Sequence, residues 1–302
     1  MTSTKEPTLR TGIYPAIDPK LLDGCLQGKV ALVTGSSRGI GKAIATALAS
    51  VGASVAINGR AGSIVEATVK DIQQQALGAK VIGVVADVLN PPDQERMLAE
   101  VQAELGKIDI LVLNAGTNLF QPFHQTKASE WWDQMNLNIR APVELTRMLI
   151  PQFMTRNSGC IIYTSSRAAV NHFPFTSAYS ISKGGITQFA SCLQAELDIV
   201  QTHPKAGAFE KNGIEVFSIH PGEIATELHK VALPPNLDRD APYIVEMRDK
   251  MKSVLPRFQA ELPAWTTVFL ASGRAHALRG RYVDCTRDIA EVIQSVEAGG
   301  QS

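Results

Sequence analysis

The sequence predicts an α/β fold built on a doubly wound parallel sheet with helices on both faces, and three observations carry that prediction. Short apolar runs recur from residue 28 onward, each followed by a longer segment with helical periodicity. Most runs are apolar throughout instead of alternating, as strands buried on both faces require. A glycine-rich turn at residues 34–41 joins the first run to the first helical segment. With right-handed crossovers, successive strands and helices make a three-layer α/β/α sandwich in a single domain.

Taken in order, residues 1–27 are rich in Thr, Pro and Lys and keep no steady period, so they read as an arm or a loosely docked extension. The domain itself is expected over 28–285. Strands are predicted at 30–33, 53–58, 80–86, 108–113, 159–164, 213–219 and 279–284. Helices are predicted at 42–51, 64–77, 92–105, 129–154, 176–200 and 262–272. After His220 the rhythm breaks, with prolines at 234, 235, 242, 256 and 263 and one helix expected near 241–253. A long irregular insert beyond a strand's carboxyl end is where such a fold places a substrate lid, here about 222–262. Residues 286–302 are left as a C-terminal tail.

Composition narrows the function. A chain of 302 residues, 45% apolar and 19% charged, can bury a substantial core as an ordinary globular protein. Basic and acidic residues balance at 29 each, which gives no footprint for nucleic acid or an anionic membrane. The four cysteines, Cys25, Cys160, Cys192 and Cys285, are widely spaced and read as buried reduced thiols, with a disulfide as the alternative. No apolar signal core opens the chain and no apolar run is long enough to span a bilayer, so the expectation is a cytoplasmic protein. No His, Cys, Asp or Glu cluster has metal-ligand spacing.

The chemistry concentrates between Thr164 and Lys183. Tyr179 and Lys183 are four residues apart on a predicted helix, hence on one face. A tyrosine with a pKa of about 10 is a poor acid or base near neutrality. A nearby ammonium favours the phenolate, so Lys183 is expected to lower the Tyr179 pKa. Ser166 follows an apolar strand and could hydrogen-bond an oxygen held against Tyr179. The three together make a proton-transfer site for an alcohol or a carbonyl. A Y-x-x-x-K spacing alone is also that of a surface pair on an ordinary helix.

A nucleotide site is the context that favours chemistry. Thr34-Gly-Ser-Ser-Arg-Gly-Ile-Gly41 has glycines at 35, 39 and 41, which let the backbone turn sharply and meet a pyrophosphate at a helix N-terminus. This is a Rossmann-type signature. An NAD site usually places a carboxylate on the adenosine ribose about 20 residues further on. Here that place holds Asn58-Gly59-Arg60. With no carboxylate to repel a 2′-phosphate, Arg38 and Arg60 can pair with one, and the cofactor expected is NADP(H).

These residues have a family. Over residues 28–284 the chain resembles the short-chain dehydrogenase/reductases, on T-G-S-S-R-G-I-G at 34–41, Asp87-Val88, Asn114-Ala-Gly116, Asn138, Ser166, Tyr179-x-x-x-Lys183 and Pro221-Gly-Glu-Ile-Ala-Thr226. Each motif is weak alone; their order and spacing are specific. The resemblance implies that Tyr179 is the general acid in carbonyl reduction, that Lys183 also holds the nicotinamide ribose, and that Ser166 orients the substrate oxygen. It implies that Asn138 keeps a relay water beside Lys183 and that Asp87 and Val88 touch adenine. It puts Gly35, Ser37, Arg38, Gly39, Ile40, Gly41, Asn114, Ala115 and Gly116 beside the cofactor, with Pro221, Gly222, Ile224 and Thr226 at its nicotinamide end. The family's Asn-Asn-Ala-Gly is Leu113-Asn-Ala-Gly here, and its terminal Gly-Gly pair is replaced by Arg281-Tyr-Val-Asp-Cys285. The N-terminal extension and lid resemble those of fungal members in secondary metabolism.

Other residues can be placed around this site. His172, Phe173 and Phe175 lie between Ser166 and Tyr179; as cavity lining they favour an uncharged cyclic or aromatic ketone, and as packing under a loop they say nothing. His220 reads as a satisfied histidine at a strand end, and one of Trp131 and Trp132 as core. The reading is an NADP(H)-dependent ketone reductase or alcohol dehydrogenase, assembling by resemblance as a homodimer or homotetramer. The alternatives are a non-redox isomerase, dehydratase or cyclase on the same site, or a silent binding subunit.

Overall fold

The computed structural model describes residues 6–205, 209–226, 240–252 and 258–299. Seven parallel strands form one sheet in the order β3-β2-β1-β4-β5-β6-β7. They are β1 (Val30–Val33), β2 (Ser54–Gly59), β3 (Val81–Val85), β4 (Ile110–Leu113), β5 (Gly159–Thr164), β6 (Ile214–His220) and β7 (Tyr282–Asp284). The order reverses between β1 and β4, so a crevice opens outside their carboxyl ends.

The apolar runs are explained by burial on two faces. Along β1, Ala31 and Val33 join one core while Val30 and Leu32 join the other. The first core packs under α1 (Gly39–Ser50), α2 (Gly62–Gln75) and α8 (Glu261–Ala271), through Ile44, Leu48, Ile72, Val268 and Leu270. The second packs under α3 (Pro91–Leu105), α5 (Ala141–Arg156) and α6 (Ser177–Thr202), through Met97, Leu145, Leu149, Ile186 and Leu197. This is the three-layer architecture read from the sequence.

Three expectations are corrected. The helix expected at 129–154 is split into α4 (Ala128–Met135), a π turn (Asn136–Arg140) and α5. Pro142 has no N–H for the carbonyl of Asn138 four residues back, so the regular ladder fails there. Residues 6–27 are not a loose arm. Tyr14, Ile17, Leu22 and Leu26 are buried in the first core, and burying each of the three aliphatic side chains is worth roughly 1.5–3 kcal/mol. A further helix, α9 (Ile289–Glu297), follows β7, capped by Asp288 on the N–H groups of Ala290 and Glu291. Arg10 pairs with Asp288 at 2.6 Å and Thr8 N–H donates to Glu291 at 2.7 Å, so the two ends of the domain fasten to each other.

The helix expected near 241–253 is α7 (Pro242–Lys252), and residues 227–239 and 253–257 of the expected lid lie outside the described residues. Cys160 and Cys285 are buried, Cys25 is half-buried and Cys192 is exposed, against the expectation that all four are buried; none is bonded to another. No helix among the described residues is long and apolar enough to cross a membrane, and none of their His, Cys, Asp and Glu side chains cluster to hold a metal ion.

Candidate active site

The glycine turn is shaped by what touches it. Gly35 has φ of +60°, and a Cβ there would lie 2.8 Å from the Cα of Ala115. A Cβ on Gly41 would lie 2.5 Å from Asn114 Nδ2 and 2.6 Å from the Gly35 carbonyl. Gly39, with φ of +58°, has only the Thr226 methyl near its missing side chain, at 3.5 Å. Glycines at 35 and 41 thus let β1 and β4 close, and the one at 39 brings the turn to the segment after β6.

Asn114 holds the closure. Its side-chain amide donates to the carbonyls of Thr34 and Gly35, both at 3.1 Å, while the N–H groups of Asn114 and Ala115 donate to Thr34 Oγ1. From the other side Asn58 does the same work, and this the sequence reading missed. Its Oδ1 accepts from the Gly35 N–H at 3.2 Å, and its Nδ2 donates to Val84 and Ala86 at the end of β3. Arg38, at the N-cap of α1, gives no side-chain cap. A helix N-terminus opening from a glycine turn is a cradle that fits a cofactor's pyrophosphate.

Around the cradle, Ser37 packs on Gly59, where a Cβ would meet Ser37 Oγ at 2.8 Å and Ser37 Cβ at 2.9 Å. Arg38 and Arg60 are exposed and form no ion pair with any described residue. Val88 is buried, and half-buried Asp87 accepts the Leu89 N–H at 2.9 Å. Ile40 packs partly against the first core. At the far end Pro221 is buried, Gly222 has φ of +94° against Phe258 and Thr286, and Ile224 is 4% exposed. The Ile224 side chain is core, so only its backbone remains for a ligand.

Ser166, Tyr179 and Lys183 come together at the carboxyl end of β5. Ser166 caps a 3-10 turn at Arg167–Ala169 by accepting the Ala168 N–H at 3.1 Å, and its hydroxyl lies near enough to Tyr179 to favour the phenolate. Lys183 is buried, donates to the Thr164 carbonyl at 2.7 Å, and sits 5.6 Å from the Tyr179 ring centre. Burial raises the Tyr179 pKa and the nearby Ser166 hydroxyl opposes the rise. Tyr179 is thus raised, against the expectation that Lys183 lowers it, and the causes of the shift are burial and Ser166, not Lys183. Burial pushes Lys183 itself down to about 8, because its ammonium has lost most of its water.

Asn138, within the π turn, is 2% exposed. Its Oδ1 accepts the Thr117 N–H at 2.9 Å and its Nδ2 donates to the Thr117 carbonyl and to Ser182 Oγ. The side chain is therefore fully used in tying β4's loop to α6. A Cβ on Gly116 would lie 3.1 Å from Asn138 Oδ1 and 3.5 Å from Lys183 Nζ, so these three converge. Only the Asn138 main chain is left for a relay, and Pro142 denies its carbonyl the regular helical donor.

The aromatic residues between Ser166 and Tyr179 divide. Phe175, with φ of +65°, turns inward against Phe120 and Tyr243 at 5.6 and 6.1 Å between rings. His172 and Phe173 are exposed. Trp131 donates to Ser177 Oγ at 3.1 Å, and Trp132 is 59% exposed. Arg167 pairs with Glu223 at 3.0 Å beside His220, a link that sequence spacing alone could not show.

Comparison with known proteins agrees with this geometry. The profile of the short chain dehydrogenase family matches residues 29–235. A short chain dehydrogenase of Pseudocercospora fijiensis is 35% identical, over 95% of this chain and 89% of its own length. A hydroxynaphthalene reductase of Aspergillus fumigatus is 31% identical, over 85% of this chain and 90% of its own. A crystal structure from Agrobacterium tumefaciens, of a protein proposed to be a gluconate dehydrogenase, superposes with a TM-score of 0.72 at 26% identity, covering 87% of this chain and 95% of that one. The chain belongs to the short chain dehydrogenase family. Its relatives support a dehydrogenase or reductase role, and proteins of this family bind a nicotinamide cofactor, NAD or NADP.

Proposed function

We propose that this short chain dehydrogenase is an NADP(H)-dependent reductase of an uncharged cyclic or aromatic ketone, running as a secondary-alcohol dehydrogenase in reverse. The observation that carries the reading is the convergence of Ser166, Tyr179 and the buried Lys183, with the Ser166 hydroxyl near enough to favour the Tyr179 phenolate and the Lys183 Nζ 5.6 Å from the Tyr179 ring centre. When bound, the nicotinamide supplies the hydride in reduction and accepts it in oxidation. Ser166 hydrogen-bonds the carbonyl oxygen and fixes it against the phenol. Tyr179 donates its proton to that oxygen as negative charge grows on it, and in the reverse direction takes the proton back. Lys183, held by the Thr164 carbonyl, keeps a positive charge next to the phenolate that proton transfer leaves behind.

The 2′-phosphate preference is supported by Gly59, where Ser37 leaves no space for a carboxylate side chain, and by the exposed guanidiniums of Arg38 and Arg60. The substrate class is supported by the Phe120–Phe175–Tyr243 cluster, which joins the chain just before Tyr179 to α7. The assembly proposed is a homodimer or homotetramer. Trp132 on α4 and Ile181 and Ile199 on α6 are more than half exposed, and light scattering would measure the size.

The test is NADPH fluorescence and NADPH oxidation against cyclohexanone, acetophenone and 1-tetralone. Ketone-dependent oxidation is expected in the wild type. Tyr179→Phe should cut turnover by about 10²–10⁴-fold while NADPH binding is kept. Turnover of the variant within a few-fold of wild type would sink the acid–base assignment. Tight binding with no oxidation by any ketone would move the site to non-redox chemistry.

A further inference from the structure

We propose that His220 is a positioning residue for this reaction: its ring holds the turn that carries Ser166 and, with Arg167 and Glu223, ties that turn to the segment at 221–226. The inference rests on the role proposed above for Ser166. His220 ends β6 and is 3% exposed. Its Nδ1 accepts the Arg167 N–H at 3.1 Å, and its own carbonyl accepts the Cys285 N–H at 2.9 Å. Arg167 directly follows Ser166 and opens the 3-10 turn whose second N–H, from Ala168, is bonded to Ser166 Oγ. The ring thus secures one N–H of this turn and Ser166 secures the next.

An acceptor at Nδ1 fixes the tautomer: the neutral ring carries its hydrogen on Nε2. That Nε2 is buried and has no hydrogen-bond partner among the described residues. It lies 3.8 Å from Glu223 Oε1, the oxygen that Arg167 Nη1 holds at 3.0 Å. A purely structural strand end would be better filled by an apolar side chain, which leaves no donor unsatisfied. What an apolar residue lacks is the acceptor for Arg167. Glu223 belongs to the segment expected at the nicotinamide end, so Arg167 and Glu223 join the substrate-orienting turn to the cofactor-facing one. The bracket makes the placement of Ser166 depend on the placement of 221–226.

Burial keeps the ring neutral against the two carboxylates around it. Burial lowers the His220 pKa most and Arg167, after β5, lowers it further; Asp284 on β7 and Glu223 after β6 oppose them. Protonation would put a second hydrogen on Nδ1, facing the Arg167 N–H, and the bracket would open.

The experiment compares wild type, His220→Phe, His220→Asn and Tyr179→Phe, measuring kcat and the KM for ketone and for NADPH between pH 5 and 8. The Asn side-chain oxygen stands near the place of Nδ1 and does not titrate. His220→Phe should lose about tenfold or more in kcat, through a misplaced Ser166, with the KM for NADPH little changed. His220→Asn should recover most of that kcat and hold it at acid pH, where the wild type falls. Equal kcat in wild type and His220→Phe, or no recovery by Asn, would overturn the inference. Should His220→Phe fail to fold, the Asn variant and the nitrogen-15 spectrum of the wild-type ring decide instead. An Nε2-protonated tautomer with a slowly exchanging Arg167 amide supports the bracket, and an Nδ1-protonated ring refutes it. If Tyr179→Phe keeps its turnover, or no ketone oxidises NADPH, the reading of Ser166 falls and this inference with it. If Tyr179→Phe is inactive and His220→Phe matches wild type, the positioning role alone falls.

Discussion

The two ends of the crevice are built from different materials. At the glycine turn the work is done by main-chain groups, closed by two amide side chains, Asn58 and Asn114, and by the absence of side chains at Gly35 and Gly41. Around Tyr179 it is done by ionisable side chains pulled out of water: Tyr179 is raised, Lys183 lowered and His220 lowered, each chiefly by burial. The first end depends on shape, and one methyl group is too much for it. The second depends on protonation state, and it can keep its shape while losing its chemistry. Damage should therefore appear as lost stability at one end and as lost rate at the other.

The largest separation is expected between Tyr179→Phe and Asn58→Asp. The first should leave the melting temperature nearly unchanged while it removes turnover. The second replaces a buried amide donating to the Val84 and Ala86 carbonyls, at 3.3 and 3.1 Å, with an oxygen that repels both. Two lost donors in a buried site cost about 3 kcal/mol or more, a drop of roughly 5 °C or more in a domain of this size. Calorimetry would measure it, and kcat per folded molecule at saturating NADPH should stay within a few-fold. A melting temperature within 2 °C of wild type, or a collapse of kcat at full folding, would erase the distinction between the two ends.

A second contrast comes from pH. Lys183 has its pKa pushed from 10.5 to about 8 by burial. At pH 7 it is mainly ammonium and at pH 9 mainly neutral, so kcat/KM for reduction should fall about tenfold per unit above pH 8. Lys183→Gln should have low activity with no such limb. Stability should move the opposite way. A lysine whose folded pKa is depressed opposes folding fully below about pH 8, and that opposition is relieved as pH rises from 8 towards 10.5. His220 is also depressed, so its neutral-state stability is present above the unfolded value near 6.5 and is lost as pH falls below it. Between these limits the reaction end is strained by one group and comfortable for the other. A wild-type rate that is flat from pH 7 to 10 would remove Lys183 from the proton chemistry.

The same contrast explains what could be read from the sequence. Shape constraints leave a local mark: Gly35, Gly39 and Gly41 announce a turn because few other residues tolerate it. The apolar runs announced strands covered on both faces for a similar reason. Asn58 left no mark, since its partners come from residues 35, 84 and 86, and a strand-end asparagine looks like a mere lack of charge. The π turn at Asn136–Arg140 was hidden within an unbroken helical period, although Pro142 was a visible clue. The helix α9 had a readable signal in Asp288 and Glu291 three residues later, a capping pair before an apolar face. Residues 6–27 could not be read, because their buried side chains, Tyr14, Ile17, Leu22 and Leu26, follow no period and meet a core assembled from distant segments.

The smallest expected effect tests the rim of the shape-dependent end, where exposed charge rather than packing should set the choice of cofactor. Arg60→Ala should weaken NADPH about three- to tenfold and leave NADH unchanged, the range for a solvent-exposed charge on a phosphate. Arg38→Ala should do the same, and the two should nearly add if each meets the phosphate separately. Titration of all four proteins with both cofactors gives the comparison, and an unchanged preference in the double variant would sink the 2′-phosphate reading. The reverse experiment shows why the rim is charged at all. Gly59→Asp would supply the ribose carboxylate that NAD sites use, but its Cβ would fall 2.8 Å from Ser37 Oγ and 2.9 Å from Val65 Cγ2. It should lower the melting temperature before it gains NADH, and adding Ser37→Gly should restore part of that loss. On the proposed reading, the arginines would set the cofactor preference at the rim, and the packing of Ser37 and Val65 on Gly59 would keep a ribose carboxylate from being added beneath them.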